Sequence, residues 1–124
     1  MENEIKRIVN IIKEQAETFL LMANEFYPFG AYINKKNSII PLGAYLENDQ
    51  PPSLEVMTLL EKAIVDHIQK GDCILGAIAI DVYVSFNDKK HDAIEIRFFE
   101  AGKDTYKRHY KYEITDKQVQ FLDD

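Results

Sequence analysis

The chain has 124 residues, 46% of them hydrophobic, and 21 acidic against 15 basic side chains give a net charge of −6. That length fits a single domain over residues 1–124, and the acidic balance argues against nucleic acid as a main partner, because phosphate binding needs a basic face. No apolar run approaches the roughly 20 residues that a membrane helix needs, and the lone cysteine, Cys73, excludes an intramolecular disulfide and a thiolate metal cluster.

Residues 3–26 form the first predicted element, an amphipathic helix. Ile5, Ile8, Val9, Ile12, Ala16, Phe19, Leu20, Ala23 and Phe26 recur at spacings of three and four, with Glu2, Lys6, Lys13, Glu14 and Glu17 mostly on the other side. Met1-Glu2-Asn3-Glu4 opens acidic, unlike the basic start of a secretory signal, which points to the cytoplasm. Pro28 is the expected stop, and it pushes Tyr27 towards extended backbone.

Two short strands are expected next, 29–34 and 38–46, joined by a hairpin turn at Lys35-Lys36-Asn37. Pro41 cannot donate to a ladder, so the second should be an edge strand or carry a bulge. A polar loop with Pro51-Pro52 follows. Ser53 then stands as an N-cap for a second helix over 54–70, which Gly71 closes.

The remainder alternates as strands do. Over 73–86, Ile74, Ile78, Ile80, Val82, Val84 and Phe86 share one face, while Ala77, Ala79, Asp81, Tyr83 and Ser85 share the other. A turn is expected at 87–91, a strand at 92–100, a tight turn at 101–104 and a strand at 105–114; residues 115–124 fit a strand extension, a short helix or a tail. The order α-β-β-α-β-β-β, with short links between the last three strands, predicts a two-layer α+β domain. Its five-stranded, mainly antiparallel sheet carries both helices on one face. Setting Phe86 opposite Ile94 puts the aliphatic side chains of both strands under the helices and keeps Glu95 and Arg97 in water. The following hairpin is expected to set Ile96 against Tyr110 and Glu95 beside Lys111, because the alternative brings Arg97 against Lys107.

Candidate chemistry is sparse. Asp81, inside "AIAIDVYV", reads either as a buried carboxylate serving as a base or as a sheet-surface acid paired with Arg97. His67, His91 and His109 show no metal-ligand spacing, the serines lack a nucleophile context, and the glycines form no phosphate loop. The basic run Lys103, Lys107, Arg108, His109 and Lys111 reads as an edge strand protected by lysines. No catalytic, cofactor-binding or metal-binding residue is assigned.

Two surfaces stand out instead. Ala79, Asp81, Tyr83, Arg97 and Phe99 mark a sheet face expected to be uncovered, and tyrosine beside small apolar residues suits a protein interface or a homodimer. Phe26, Tyr27, Phe29 and Tyr45 mark a pocket between the first helix and the sheet, although aromatics at such a corner also plug cores.

The strings "FYPFGAYI" at 26–33 and "DVYVSFNDKKHDAIEIRFFEAG" at 81–102 resemble small uncharacterised bacterial proteins with an F-x-P-F-G/A motif, a resemblance that implies no activity. The element order looks like that of roadblock and longin-like domains, regulators that often dimerise. The expected function is therefore a non-enzymatic, cytoplasmic protein-binding module of the immunity or regulatory type. The alternative is a small-molecule binder or enzyme using the helix–sheet pocket.

Overall fold

A computed structural model describes residues 1–43 and 53–122. The elements are α1 (Glu2–Ala23), β1 (Phe29–Asn34), β2 (Ile39–Leu42), α2 (Ser53–Lys70), β3 (Cys73–Phe86), β4 (Lys89–Phe99), β5 (Tyr106–Thr115) and β6 (Gln118–Phe121). The α+β class and the antiparallel sheet are as expected, but the sheet has six strands, in the order β2-β1-β3-β4-β5-β6. The sixth comes from the stretch left open at 115–124. Asp116 and Lys117 both take positive φ, 42° and 67°, and form the two-residue turn that returns β6 against β5.

Helix α1 buries Ile5, Ile8, Val9, Ile12, Ala16 and Leu20, the stripe its period dictates. It stops before Pro28. Asn24 turns left-handed at φ 61°, and its N–H reaches the Leu20 carbonyl at 2.8 Å, so the helix ends at Ala23. Helix α2 buries Val56, Leu60 and Ile64 and ends as predicted on Gly71, at φ +79°. Strand β2 is an outer strand and contains Pro41, as expected. The part of that predicted strand at 44–46, with Tyr45, lies outside the described residues.

The β3–β4 register differs from the expected one. Asn87 and Asp88 both have positive φ, 52° and 63°, so the turn takes two residues rather than five. Phe86 therefore pairs with Lys89, Ile80 with Glu95 and Ala79 with Ile96. The offset from the expected pairing is an odd number of residues, which exchanges the faces of β4 relative to β3. The β4–β5 hairpin likewise adopts the alternative register rather than the expected one, with Arg97 opposite Lys107 and Ile94 opposite Tyr110.

The expectation that both helices share one face is corrected by the same shift. Helix α1 packs with Phe29, Ala31, Ile33, Leu75, Ala77, Ala79, Ile94, Ile96, Phe98 and Tyr112. Helix α2 packs with Ile78, Ile80 and Phe99, on the opposite side of the sheet. The small residues of β3 are small because helices lie close. Ala77 and Ala79 sit fully buried on the α1 side, and a methyl group on Gly76 would run into Ile64 of α2. Fully buried Ile8, Ile12 and Leu20 each contribute about 1.5–3 kcal/mol against leaving them in water.

Glu95 shows how the sheet accommodates this register. It is only 7% exposed, yet Arg97 Nε donates to Oε2 at 2.8 Å and His109 Nε2 lies 3.0 Å from Oε1. Lys107 Nζ adds a longer contact at 3.8 Å. Burial works against the carboxylate, but the hydrogen bonds from Arg97 and His109 and the charges of Arg97 and Lys107 outweigh it and hold its pKa below the ordinary range. The Arg97–Lys107 juxtaposition is tolerated because a carboxylate sits between the two cations.

Candidate functional site

A cleft opens at the C-terminal end of α1. Its volume is about 710 Å³, and it is lined by the end of the helix, the 24–28 connection, Phe29, Gly43, Ser53, Asp81, Val82, Tyr83 and Asp92. The left-handed Asn24 cap produces it, because the chain leaves the helix there and carries Glu25, Phe26 and Tyr27 around the corner instead of continuing the spiral. Phe29 anchors the wall. Its ring stands edge-on to Phe26 and to Phe19, each with centroids 5.4 Å apart. Tyr27 is half exposed, and Tyr83, 74% exposed, lines the same cleft.

Three of the four predicted pocket residues, Phe26, Tyr27 and Phe29, thus line one cleft, and Tyr45 lies outside the described residues. The "FYPFGAYI" corner is core and cleft wall at once. Pro28 and Phe29 are buried, whereas Phe26 is half-buried and Tyr27 faces solvent.

The predicted interface set does not form one surface. Ala79 is buried under α1 and Phe99 is buried in the α2 cluster, so neither is available for contact. Arg97 is on the α2 side of the sheet, bound to Glu95, and the expected Asp81–Arg97 pair does not form. Only Asp81 and Tyr83 meet, in the cleft.

Asp81 is the half-buried acid of the cleft. Burial raises its carboxyl pKa above the ordinary value; the nearby Asp92 and Glu25 carboxylates add to that rise, while hydrogen bonds from the Tyr112 hydroxyl and the Phe26 backbone oppose it. Tyr112 Oη donates to Asp81 Oδ1 at 2.8 Å, and burial together with this bond pushes the phenol far above its usual value. Asp81 is therefore a half-buried carboxyl with a raised pKa and a structural partner, Tyr112 rather than the expected Arg97.

The cleft's polarity is one-sided. Glu25, Asp81 and Asp92 contribute carboxylates, and no lysine, arginine or histidine is among its described lining residues. Sequence reasoning missed Glu25 and Asp92. Asp92 reaches the cleft only because it pairs with Tyr83 across the β3–β4 ladder, a neighbour that the expected register did not supply.

The other candidates have ordinary surroundings. Cys73 is buried, and burial with the Asp72 charge pushes its thiol up to about 11, so it is a poor nucleophile. His67 stacks on Tyr32 at 4.4 Å and bonds Asp72 at 3.0 Å. The basic run on β5 divides by strand alternation: Lys107 and His109 meet Glu95, while Arg108 meets Glu2 at 3.2 Å. β5 is also an inner strand rather than the expected edge. Among the described residues no group of three His, Cys, Asp or Glu side chains could hold a metal ion, and no helix is long and apolar enough to cross a membrane. The chain matches no protein-family model, no curated protein and no solved structure.

Proposed function

We propose that the protein is a non-enzymatic binding module of the bacterial cytoplasm, of the immunity or regulatory type, and that it receives a segment of another protein in the cleft at the end of α1. The observation that carries this reading is the clustering of exposed apolar side chains. Nine large hydrophobic residues are exposed among those described, and four of them, Phe19, Met22, Tyr27 and Tyr83, line this one cleft. Exposed aromatics gathered around a groove mark interaction sites rather than random surface. A partly open cleft of about 710 Å³ suits a peptide segment or a protruding loop.

A photo-crosslinking amino acid at Tyr83, with one at Glu61 on the exposed side of α2 as control, tests the reading in cells of the source organism. A discrete protein adduct at the first position and none at the second is the expected result. Equal labelling at both, or none at either, overturns it. An adduct of twice the chain's own mass would make the partner a second copy.

A small-molecule site is the second reading. The cleft's volume, about 710 Å³, lies in the range of roughly 300–1,000 Å³ typical of ligand pockets, and the raised Asp81 carboxyl would be its proton acceptor.

A further inference from the structure

The lining of the cleft points to the chemistry of its occupant, an inference that rests on the docking reading above. We infer that the cleft receives a lysine or arginine side chain presented by a protein partner, its aliphatic stem against the aromatic wall and its charged head among Glu25, Asp81 and Asp92.

Three observations converge. The first is the combination of lining groups. Phe26, Tyr27, Phe29 and Tyr83 surround the same space as the three carboxylates. Aromatic faces attract cations through the ring quadrupole, and they also accept the methylene stem of a long basic side chain. An apolar ligand alone would leave the carboxylates facing it without a counter-charge, and an anion would be repelled.

The second is the absence of an internal cation. Among the described residues neither Asp81 nor Asp92 nor Glu25 forms an ion pair, whereas the buried Glu95 and Glu100 each hold one. The sheet elsewhere neutralises its buried carboxylates from within. At the cleft Glu25 and Asp92 are exposed and Asp81 is half-buried. The bonds to Asp81 come from Tyr112 and the backbone rather than from a cation, so an external positive charge there meets a partly desolvated carboxyl with no internal counter-charge.

The third concerns what kind of cation fits. The three acids do not form a metal-holding group, and a bare ion would leave most of a cleft of about 710 Å³ unfilled. A guanidinium or ammonium on an apolar stem fills both the charge and the volume. The net charge of −6 would in addition steer a basic partner towards the chain.

The test uses the full chain, isotope-labelled for amide NMR, and three probes: acetyl-Ser-Leu-Arg-Leu-Ser-amide, the same peptide with Glu in place of Arg, and acetyl-arginine-amide. The expected result is binding of the Arg peptide with a dissociation constant on the order of 1 mM. The amides that shift should lie in residues 24–29, 81–83 and at 92, and the Glu peptide should shift none. Asp92→Asn, an exposed rim change that folding tolerates, should weaken the Arg peptide about tenfold, as should Asp81→Asn. Equal binding of the Arg and Glu peptides overturns the cation while leaving a docking cleft in place. No shifts with any probe overturn the cation, and the Tyr83 crosslink then decides the docking reading separately. Acetyl-arginine-amide binding as tightly as the pentapeptide overturns the protein source in favour of a small cationic ligand.

Discussion

Tyr112 of β5 reaches across β4 and donates its hydroxyl to Asp81 of β3 at 2.8 Å. The bond links the inner end of the cleft to the α1 side of the core, where Tyr112 is only 2% exposed. It also supports the ionised form of a carboxylate that burial disfavours.

Tyr112→Phe keeps the ring and removes the donor. Leaving a half-buried carboxylate short of a partner is expected to cost about 1–3 kcal/mol at pH 7, measured by chemical denaturation. The same change should raise the Asp81 pKa further, which a carboxyl-carbon NMR titration reads directly. An unchanged titration would show that Tyr112 does not solvate Asp81.

The Glu95 cluster predicts a pH dependence. Its carboxyl is held below the ordinary value of 4.5 in the folded chain, so its contribution to stability is present above that value and is lost as pH falls through the folded pKa. Glu95→Gln should therefore destabilise at pH 7 by about 1–3 kcal/mol, with the Arg97 and His109 groups left short of an acceptor. The gap between wild type and variant should narrow as pH drops below about 4.5. Denaturation curves at pH 7, 5 and 3.5 check the trend, and a gap that widens in acid would contradict it.

The opposite-face placement of the helices rests on Ile64 lying over Gly76. Gly76→Ala should force that contact apart and cost about 1–3 kcal/mol, or more if β3 cannot move. The double variant Gly76→Ala with Ile64→Val should recover part of the loss in thermal unfolding. Were α2 packed elsewhere, neither change would register and no recovery would appear.

The register rests on the turn at Asn87-Asp88. Asp88 at φ 63° favours a residue free of β-branching. Asp88→Val should cost about 1–2 kcal/mol, while Asp88→Gly should be neutral or stabilising. Cross-strand amide contacts between Ile80 and Glu95 should survive in the Gly variant. A five-residue loop, as first expected, would make both substitutions nearly silent.

The helices and most strands were legible because apolar period and cap chemistry act locally. Ile8, Ile12 and Leu20 announce a stripe, and Gly71 announces an end. Which side of the sheet each helix occupies was not legible. Ala77 and Ala79 looked like outward residues because they are small, yet they are small because α1 rests on them. The decision between the two faces hung on whether the β3–β4 turn had two residues or five, and Asn-Asp gives a weaker turn signal than Asn-Gly. The aromatic half of the cleft was visible as a sequence-local cluster. Its acidic half was not, since Glu25, Asp81 and Asp92 come together only once the ladder is known.

Helices on opposite faces of β1 and β3 have a consequence for how the chain reaches its native state. Neither helix has a platform until those two strands meet, and all of α2 intervenes between them in sequence. Closing that long segment comes before most of the apolar reward, so the chain lacks an N-terminal half able to mature on its own. Acquisition of structure should be one concerted, comparatively slow step, and a ribosome-bound chain that ends before Cys73 would still await its scaffold.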